Sequence, residues 1–298
     1  PAVAVEPTTD GIYDALAEAA SQQYTGGSFA VRARRAGEPE AHAFSSVDLE
    51  REGGTVVWEV AESSGLDPAV DLEDPDTTFF VEARADRAFV FLEKREGPGG
   101  MPVGSQRPLV ALVSGGIDSP VAAWLAMKRG APVIPLYVDL GTYGGVDHRL
   151  RAEETAERLA AYAPNFDLRL RVAPGGDGIE RIAAELDMYR MLATRRFMLR
   201  IAARVADDLG AVGIVTGESI GQKSSQTTTN LRVTSAVTDL PVHRPVLSMD
   251  KTAISDRAKE IGTYDDSTID AGCHRLAPER AATNPPAERV ESAEPDGL

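Results

Sequence analysis

The chain has 298 residues, and its 43% hydrophobic content is enough to fill a core, which excludes wholesale disorder. It carries 31 basic and 46 acidic residues, a formal net charge of −15, and only five of the basic residues are lysines. Such an acidic, lysine-poor composition is typical of a cytoplasmic protein from a halophilic organism. Because strong salt screens long-range charge, this acidity does not exclude a nucleic-acid partner.

Two further classes are excluded by simple counts. No apolar run reaches the ~18 residues that a membrane helix needs, so no membrane segment is expected. The single cysteine, Cys273, excludes an internal disulfide and a cysteine-rich zinc or iron–sulfur site. The chain begins at Pro1 and not at Met, which predicts a fragment or a processed protein.

The first third of the chain predicts a small α+β domain over residues 1–97. Apolar residues at helical spacing indicate a helix over Gly11–Gln22. Strand-like segments follow at Ser28–Arg34, Gly54–Val60, Thr77–Ala83 and Ala88–Leu92. A stretch rich in glycine and proline then predicts a linker over 98–107.

Beyond the linker, strands and helices alternate, and this alternation predicts a doubly wound parallel sheet of the α/β class over 108–285. The predicted strands are Leu109–Val113, Val133–Val138, Asp167–Val172, Val212–Thr216 and Val242–Leu247. The predicted helices are Pro120–Arg129, His148–Tyr162, Ile179–Leu209 and Asp250–Ile261. Residues 286–298 are rich in proline and glutamate and are predicted to be disordered.

The segment LVSGGIDSP, residues 112–120, ends the first of these strands and begins the first helix. Gly115 and Gly116 let the backbone approach a ligand closely, and the helix N-terminus directs free N–H groups at it. Ser114 and Ser119 add hydroxyl donors. The loop lacks the lysine of the usual phosphate loop, so it predicts a different cradle for a nucleotide pyrophosphate.

Asp118 is unusual in such a cradle because a bare carboxylate repels phosphate. The residue makes sense if Mg²⁺ lies between the two groups, or if the attack occurs at the α-phosphate. The alternative is a plain glycine turn in which Asp118 only caps the helix.

SGGIDS resembles the PP-loop of the ATP pyrophosphatases, which activate a carbonyl oxygen by transfer of AMP. Four later strings narrow the resemblance to the tRNA uracil 4-sulfurtransferases, also called tRNA 4-thiouridine synthases: RRFMLRIAARVA, TGESIGQKSSQT, HRPVLSMDK and IGTYDDS. SFAVRARRAG, HAFSSVDLE and DLEDPDTTFFVEA resemble the THUMP domain of the same family. The match covers nearly the whole chain. It implies a THUMP domain followed by a PP-loop domain of the adenine nucleotide alpha hydrolase type.

The resemblance implies a set of ATP contacts in the loop, at two strand ends and in the later motifs. These are Leu112, Val113, Ser114, Gly115, Gly116, Asp118, Ser119, Tyr137, Val138, Arg195, Gly217 and Gln226. It implies ATP and Mg²⁺ as cofactors, with Asp118 as a possible metal contact. The expected reaction adenylates O4 of the uridine at tRNA position 8, releases pyrophosphate, and replaces the adenylated oxygen by sulfur.

Cys273 lies in DAGCHRLAP, where the family places an active-site cysteine. Cys273, like Asp118, is therefore predicted to be a catalytic residue. The bland alternative is an inert buried thiol. The chain stops at Leu298 without the rhodanese domain of bacterial relatives, which predicts an archaeal type of enzyme. Its sulfur then comes from sulfide or from a donor protein in trans.

The family also begins with a ferredoxin-like segment before the THUMP domain, and this sequence starts after it. The tRNA contacts expected in the first domain are Arg32, Arg34, Arg35 and Arg51. The arginines between Arg169 and Arg204 are either tRNA contacts or surface ion pairs. A homodimer is possible on helix length alone.

Two other functions stay open. Another PP-loop enzyme, a small-molecule ligase or amidotransferase, would release pyrophosphate without tRNA. A non-catalytic tRNA-binding protein would release none.

Overall fold

The computed structural model describes residues 2–37, 42–144, 146–267, 276, 278 and 281–298. The chain divides into two compact units, Pro1–Gly97 and Pro98–Leu298. Each unit has its own sheet and its own buried apolar clusters.

The described residues of the first unit form a mixed five-stranded sheet with two α-helices. Its elements are β1 (Val3–Val5), α1 (Thr9–Gln23), β2 (Gly27–Arg35), α2 (Ser46–Ser63), β3 (Pro68–Val70), β4 (Thr77–Ala83) and β5 (Ala88–Phe91). The strand order is β1-β5-β4-β2-β3, with β2 parallel to both of its neighbours. Helices α1 and α2 share one buried cluster with the sheet, in which Leu16, Leu49, Phe29 and Phe79 are fully buried.

The prediction of a strand at Gly54–Val60 is wrong, because these residues belong to helix α2. The local run of β-branched residues favours a strand, but the buried positions Leu49, Gly53, Val57 and Ala61 follow every fourth residue, as a helix requires. A reciprocal capping box between Ser45 and Asp48 starts the helix. Tertiary packing therefore overrides the local strand preference.

The second unit is built on a five-stranded parallel sheet, which confirms the predicted α/β doubly wound fold. Its strands are β6 (Leu109–Leu112), β7 (Val133–Asp139), β8 (Arg171–Pro174), β9 (Ile214–Val215) and β10 (Val242–His243), in the order β10-β9-β6-β7-β8. Its helices are α3 (Asp118–Lys128), α4 (Val146–Ala160), α5 (Gly176–Glu185), α6 (Arg190–Leu209), α7 (Thr228–Ser235), α8 (Lys251–Glu260), α9 (Tyr264–Ser267) and α10 (Ala287–Ala293). A 3₁₀ turn, Gly141–Tyr143, follows β7.

Helices cover both faces of this sheet. On one face, α3 and α8 pack on residues such as Ala111 and Val133. On the other face, α6 packs on residues such as Val110 and Leu136. Successive residues of each strand point to opposite faces, so neighbouring residues of β6 belong to different clusters. Both faces are thus buried, and ligands reach this architecture at the strand ends.

Two predictions about helices differ from the structure. The predicted long helix Ile179–Leu209 is divided into α5 and α6 by a break at residues 186–189. The predicted disordered tail over 286–298 instead contains α10, whose Val290 is fully buried. Glu294 makes an ion pair with buried Arg196 at 2.6 Å. The composition of the tail does not show this pairing, because Arg196 lies 98 residues earlier in the chain.

No helix within the described parts of the chain is long and apolar enough to cross a bilayer.

Candidate functional site

The SGGIDS loop closes on itself at the carboxyl end of β6. The Ser119 hydroxyl oxygen accepts a hydrogen bond from the Ser114 backbone N–H at 3.0 Å and lies 3.3 Å from the Ser114 hydroxyl. Helix α3 begins at Asp118, and no side chain caps its N-terminus. The N–H groups of its first turn are therefore available to an anionic ligand, and the helix dipole favours one.

Asp118 does not cap helix α3, so the alternative of a plain glycine turn with Asp118 as its cap is wrong. Its Oδ1 accepts a hydrogen bond from Nζ of Lys251 at 2.7 Å, and its Oδ2 accepts one from Nε2 of Gln222 at 3.1 Å. Lys251 is the first residue of α8, 133 positions further along the chain. The structure thus adds Lys251 and Gln222 to the site. Both stand in strings that carried the family resemblance, but neither was singled out.

Gly217 follows β9 and lies directly against the start of α3. A Cβ atom on this residue would stand 2.6 Å from the backbone nitrogen of Ser119 and 2.7 Å from the carbonyl carbon of Asp118. Only glycine permits this approach of one backbone to another. Gly217 therefore brings the segment that follows β9 to the loop.

Glu218 joins two arginines in the interior beside the loop. The buried carboxylate of Glu218 pairs with Arg195, accepts a hydrogen bond from Nε of Arg244 at 2.7 Å, and accepts one from the Thr216 hydroxyl at 3.0 Å. Burial alone would raise the pKa of Glu218, but the charges of Arg195 and Arg244, with the hydrogen bonds from Arg244 and Thr216, hold it below its ordinary value. Neither Glu218 nor Arg244 was predicted from the sequence.

Gln226 completes the same cluster. With its amide in the orientation that satisfies both neighbours, the nitrogen donates to the Ser219 carbonyl at 2.7 Å and the oxygen accepts from Arg195 at 3.2 Å. The structure therefore connects Arg195 to Gln226 through this bond, and Gly217 precedes Glu218 directly.

The predicted ATP contacts at the strand ends have little side-chain surface to offer a ligand. Val113, Tyr137 and Val138 are all buried. The Tyr137 ring packs with Val113 and with Ala152 of α4. These residues thus have only backbone groups left to offer a ligand at the sheet edge, and the Tyr137 ring does not stand free to stack on a base.

The basic residues expected to contact RNA lie in the first unit, on β2 and α2. Arg32 donates to the Leu72 carbonyl, and Arg35 donates to the Phe44 carbonyl at 3.0 Å. Arg51 is exposed and pairs with Glu52 at 2.9 Å. Arg34 is exposed on β2.

Most arginines of the predicted 169–204 cluster are engaged in ion pairs. Arg169 and Arg171 both bond to Asp167, whose pKa lies well below its usual range because of the hydrogen bonds from Arg169 and Arg171. Arg196 and Arg200 both pair with Glu294. The ion-pair interpretation therefore accounts for much of this cluster.

Cys273 lies outside the residues that the structure describes, so the prediction for it stays a prediction. The parts of the chain that are described contain no group of three His, Cys, Asp or Glu residues arranged to hold a metal ion. Asp118 is a single carboxylate, which fits a metal ion whose other ligands come from nucleotide phosphates and water.

Comparisons with known proteins agree with this geometry. Residues 104–296 match the family described as thiamine biosynthesis protein (ThiI), and residues 6–93 match the THUMP domain. The protein named "Probable tRNA sulfurtransferase" from Halobacterium salinarum is 60% identical over 298 residues, which cover all of this chain and 75% of that relative. A "tRNA sulfurtransferase" from Pyrobaculum aerophilum is 42% identical over 80% of this chain and 47% of its own length.

A solved structure covers almost the same extent. The crystal structure of a 4-thiouridine synthetase–RNA complex with bound ATP superposes with a TM-score of 0.85 and 30% identity. The superposition covers 99% of this chain and 77% of that chain. A second structure, PH1313 from Pyrococcus horikoshii, has a TM-score of 0.62 at 21% identity and shares the fold.

Proposed function

Since this chain belongs to the ThiI family, we propose that it is an ATP-dependent tRNA sulfurtransferase that converts a uridine of tRNA to 4-thiouridine. The relatives reported above carry the names "Probable tRNA sulfurtransferase" and "tRNA sulfurtransferase", and the similar solved structure is a 4-thiouridine synthetase–RNA complex with bound ATP. The observation that carries the proposal is the uncapped start of α3, with Asp118 held beside it by Lys251 and Gln222. This combination of an anion cradle and a fixed carboxylate suits ATP cleavage at the α-phosphate.

The proposed reaction has two balanced steps at the uridine of position 8. In the first, O4 attacks the α-phosphate of ATP, the O4–P bond forms, and pyrophosphate leaves. In the second, a sulfur nucleophile attacks C4 and AMP departs with the former O4. Adenylation is needed because a carbonyl oxygen is a poor leaving group, whereas AMP is a good one.

The residues of the second unit divide these tasks. The loop from Ser114 to Ser119 holds the pyrophosphate, because the free N–H groups of α3 point at it. Arg195 supplies positive charge beside the phosphates, and Gln226 fixes the Arg195 guanidinium. Backbone groups of Tyr137 and Val138 hold the adenosine at the sheet edge.

Mg²⁺ belongs to this proposal as an ion carried by the nucleotide. Asp118 would hold it together with phosphate oxygens and water. When bound, the ion neutralises charge on the pyrophosphate as it leaves.

The sulfur step needs no oxidant when sulfide, either free or supplied by a donor protein in trans, attacks C4 directly and AMP leaves. Cys273 is proposed to act in this step beside C4. Arg32, Arg34, Arg35 and Arg51 are proposed to help dock tRNA through phosphate contacts. Of these four, Arg34 needs no rearrangement, since Arg32, Arg35 and Arg51 must exchange partners. A cytoplasmic location follows from the substrate.

The test is pyrophosphate release from ATP and Mg²⁺ in high salt, with sulfide present and with or without unmodified tRNA. Wild type should release pyrophosphate only with tRNA and should form 4-thiouridine, read by its near-ultraviolet absorbance. Asp118→Asn should lower the rate at least ~100-fold. Asp256→Asn is the matched control, because Asp256 is an exposed carboxylate that also pairs with a lysine, Lys259, at 3.4 Å.

Each alternative predicts a different result. Release without tRNA would favour a small-molecule ligase. No release from wild type under any of these conditions would favour a non-catalytic tRNA-binding protein. If Asp118→Asn and Asp256→Asn released pyrophosphate at equal rates, Asp118 would have no role in the reaction.

A further inference from the structure

Arg151 is a buried cation for which the described residues supply no compensating negative charge. It lies in the second turn of α4 and is 4% exposed. Its Nη2 atom has neither solvent nor a hydrogen-bond partner. Within the described parts of the chain, Arg151 makes no ion pair. Arginine is almost never this deeply buried unless it is paired, because the desolvation of its charge is costly.

The Arg151 side chain lies against the SGGIDS loop. A Cβ atom on Gly115 would stand 3.1 Å from Cδ of Arg151 and 3.2 Å from its Cβ. Since Nε is bonded directly to Cδ, the guanidinium begins one bond beyond this contact. Glycine at position 115 is what lets an arginine stem pass so close to the loop backbone.

Three other cations beside the loop already have carboxylate partners. Arg195 and Arg244 share Glu218, and Lys251 pairs with Asp118. Near Arg151, burial and then the Arg151 charge lower the pKa of His148, so this neighbour does not offset the charge. A buried guanidinium beside an anion cradle, without a counterion of its own, has the chemistry of a group that waits for an anionic ligand.

The topology indicates which anion this is. Helix α4 follows β7, whose end carries the proposed adenosine contacts Tyr137 and Val138. Gly115 belongs to the loop that precedes α3, where the pyrophosphate is expected. Ala152, the next residue of α4, packs with Tyr137, and Arg151 itself lies against Gly115. We therefore expect Arg151 between the adenosine and the pyrophosphate, where the α-phosphate of ATP joins them.

We propose that Arg151 binds the α-phosphate of ATP and stays with it in AMP. This inference rests on the proposed function, because it assumes that the loop binds ATP. The guanidinium supplies charge-assisted hydrogen bonds to the phosphorus centre that receives O4, and its charge is compensated only when the nucleotide is bound.

The test compares Arg151→Met with Arg149→Met on the full chain. Arg149 is on the same helix, but it is exposed and pairs with Glu153 at 2.9 Å, so it serves as the matched control. We expect Arg151→Met to weaken ATP and AMP binding about 10- to 100-fold in calorimetry, with a change below about 3-fold for pyrophosphate. Arg149→Met should leave all three affinities unchanged.

Thermal unfolding without ligand separates this role from a structural one. Removal of an uncompensated buried charge should leave the melting temperature of Arg151→Met equal to wild type or raise it. A fall of several degrees with unchanged ATP affinity would overturn the proposal. An equal loss of affinity for pyrophosphate would overturn the assignment to the α-phosphate.

A conservative variant protects the test against misfolding. Arg151→Lys keeps the charge but loses the planar fork, so its AMP affinity should lie between those of wild type and Arg151→Met. AMP affinity equal to wild type in both variants would overturn the proposal. If wild type binds ATP but forms no 4-thiouridine, the proposed function fails while this comparison of affinities still stands.

Discussion

Asp118 and Glu218 carry the same charge beside the same loop, but their surroundings differ. The Asp118 side chain is 22% exposed, and its partner Lys251 is 50% exposed. The Glu218 side chain is 7% exposed, and it meets two guanidinium groups that are themselves 22% and 11% exposed. One carboxylate faces the ligand space, and the other is enclosed by its partners.

This difference separates two uses of a carboxylate. Water screens the Asp118–Lys251 pair, so its net contribution to stability is small and its partners can be exchanged when a nucleotide arrives. Glu218 has exchanged its hydration for ion pairs and hydrogen bonds, and the loss of its charge would leave two arginines without a counterion. We therefore expect Asp118 to matter for chemistry and Glu218 to matter for the structure that chemistry needs.

The largest effect is expected when Glu218 is replaced by glutamine. Glu218→Gln should lower the free energy of unfolding of the second unit by about 3–5 kcal/mol, because Arg195 and Arg244 lose their shared negative charge. Trp58 lies in the first unit and Trp124 in the second, so a Trp58→Phe background lets Trp124 fluorescence follow the second unit alone. Glu260→Gln, at an exposed surface pair with Arg257, should cost below about 1 kcal/mol. If Glu218→Gln and Glu260→Gln lowered the free energy of unfolding equally, Glu218 would have no special structural role.

The next effect is on rate. Lys251→Met should slow tRNA-dependent pyrophosphate release about 100-fold, or about 2.7 kcal/mol, because Asp118 loses the cation that orients it and a positive charge leaves the reacting centre. The melting temperature should change little. Lys259→Met, which removes the exposed partner of Asp256, should leave the rate unaltered. A normal rate in Lys251→Met would place Lys251 outside the reaction.

The smallest expected effect is a change in the stabilising contribution of Glu218 at acidic pH. Because the folded-state pKa of Glu218 is lowered from its ordinary value of 4.5, its stabilising contribution is present above that pH and is lost as the pH falls through the folded value. The gap in melting temperature between wild type and Glu218→Gln should therefore narrow below about pH 4.5. Thermal scans from pH 7 to pH 3 measure it. A gap that stays constant across this range would contradict the low pKa.

The local part of this architecture could be predicted from the sequence. The strand, the loop and the start of α3 are adjacent in the chain, so SGGIDS shows the cradle directly. Lys251 could not be found in this way, since only the fold brings it to Asp118 across 133 residues. The helix α2 was misassigned because its β-branched residues resemble a strand when their capping box and burial are unknown.

Arg151 illustrates a second kind of residue whose role could not be predicted from the sequence. On sequence it is one of many charged residues on an amphipathic helix, and nothing in the local pattern distinguishes it from Arg149. Its burial and its missing partner are properties of the assembled unit. Residues whose role depends on an absent interaction are therefore the hardest to find from sequence.

Because the chain has few lysines, chemical labelling of amines can follow the candidate site. An amine-directed reagent can label only five side chains, at positions 94, 128, 223, 251 and 259. Since Nζ of Lys251 lies 2.7 Å from Asp118 beside the cradle, nucleotide bound there would shield it, while Lys94 in the first unit would keep its reactivity. The Lys251-to-Lys94 labelling ratio, read by mass spectrometry, would then report occupancy of the cradle without any measurement of turnover.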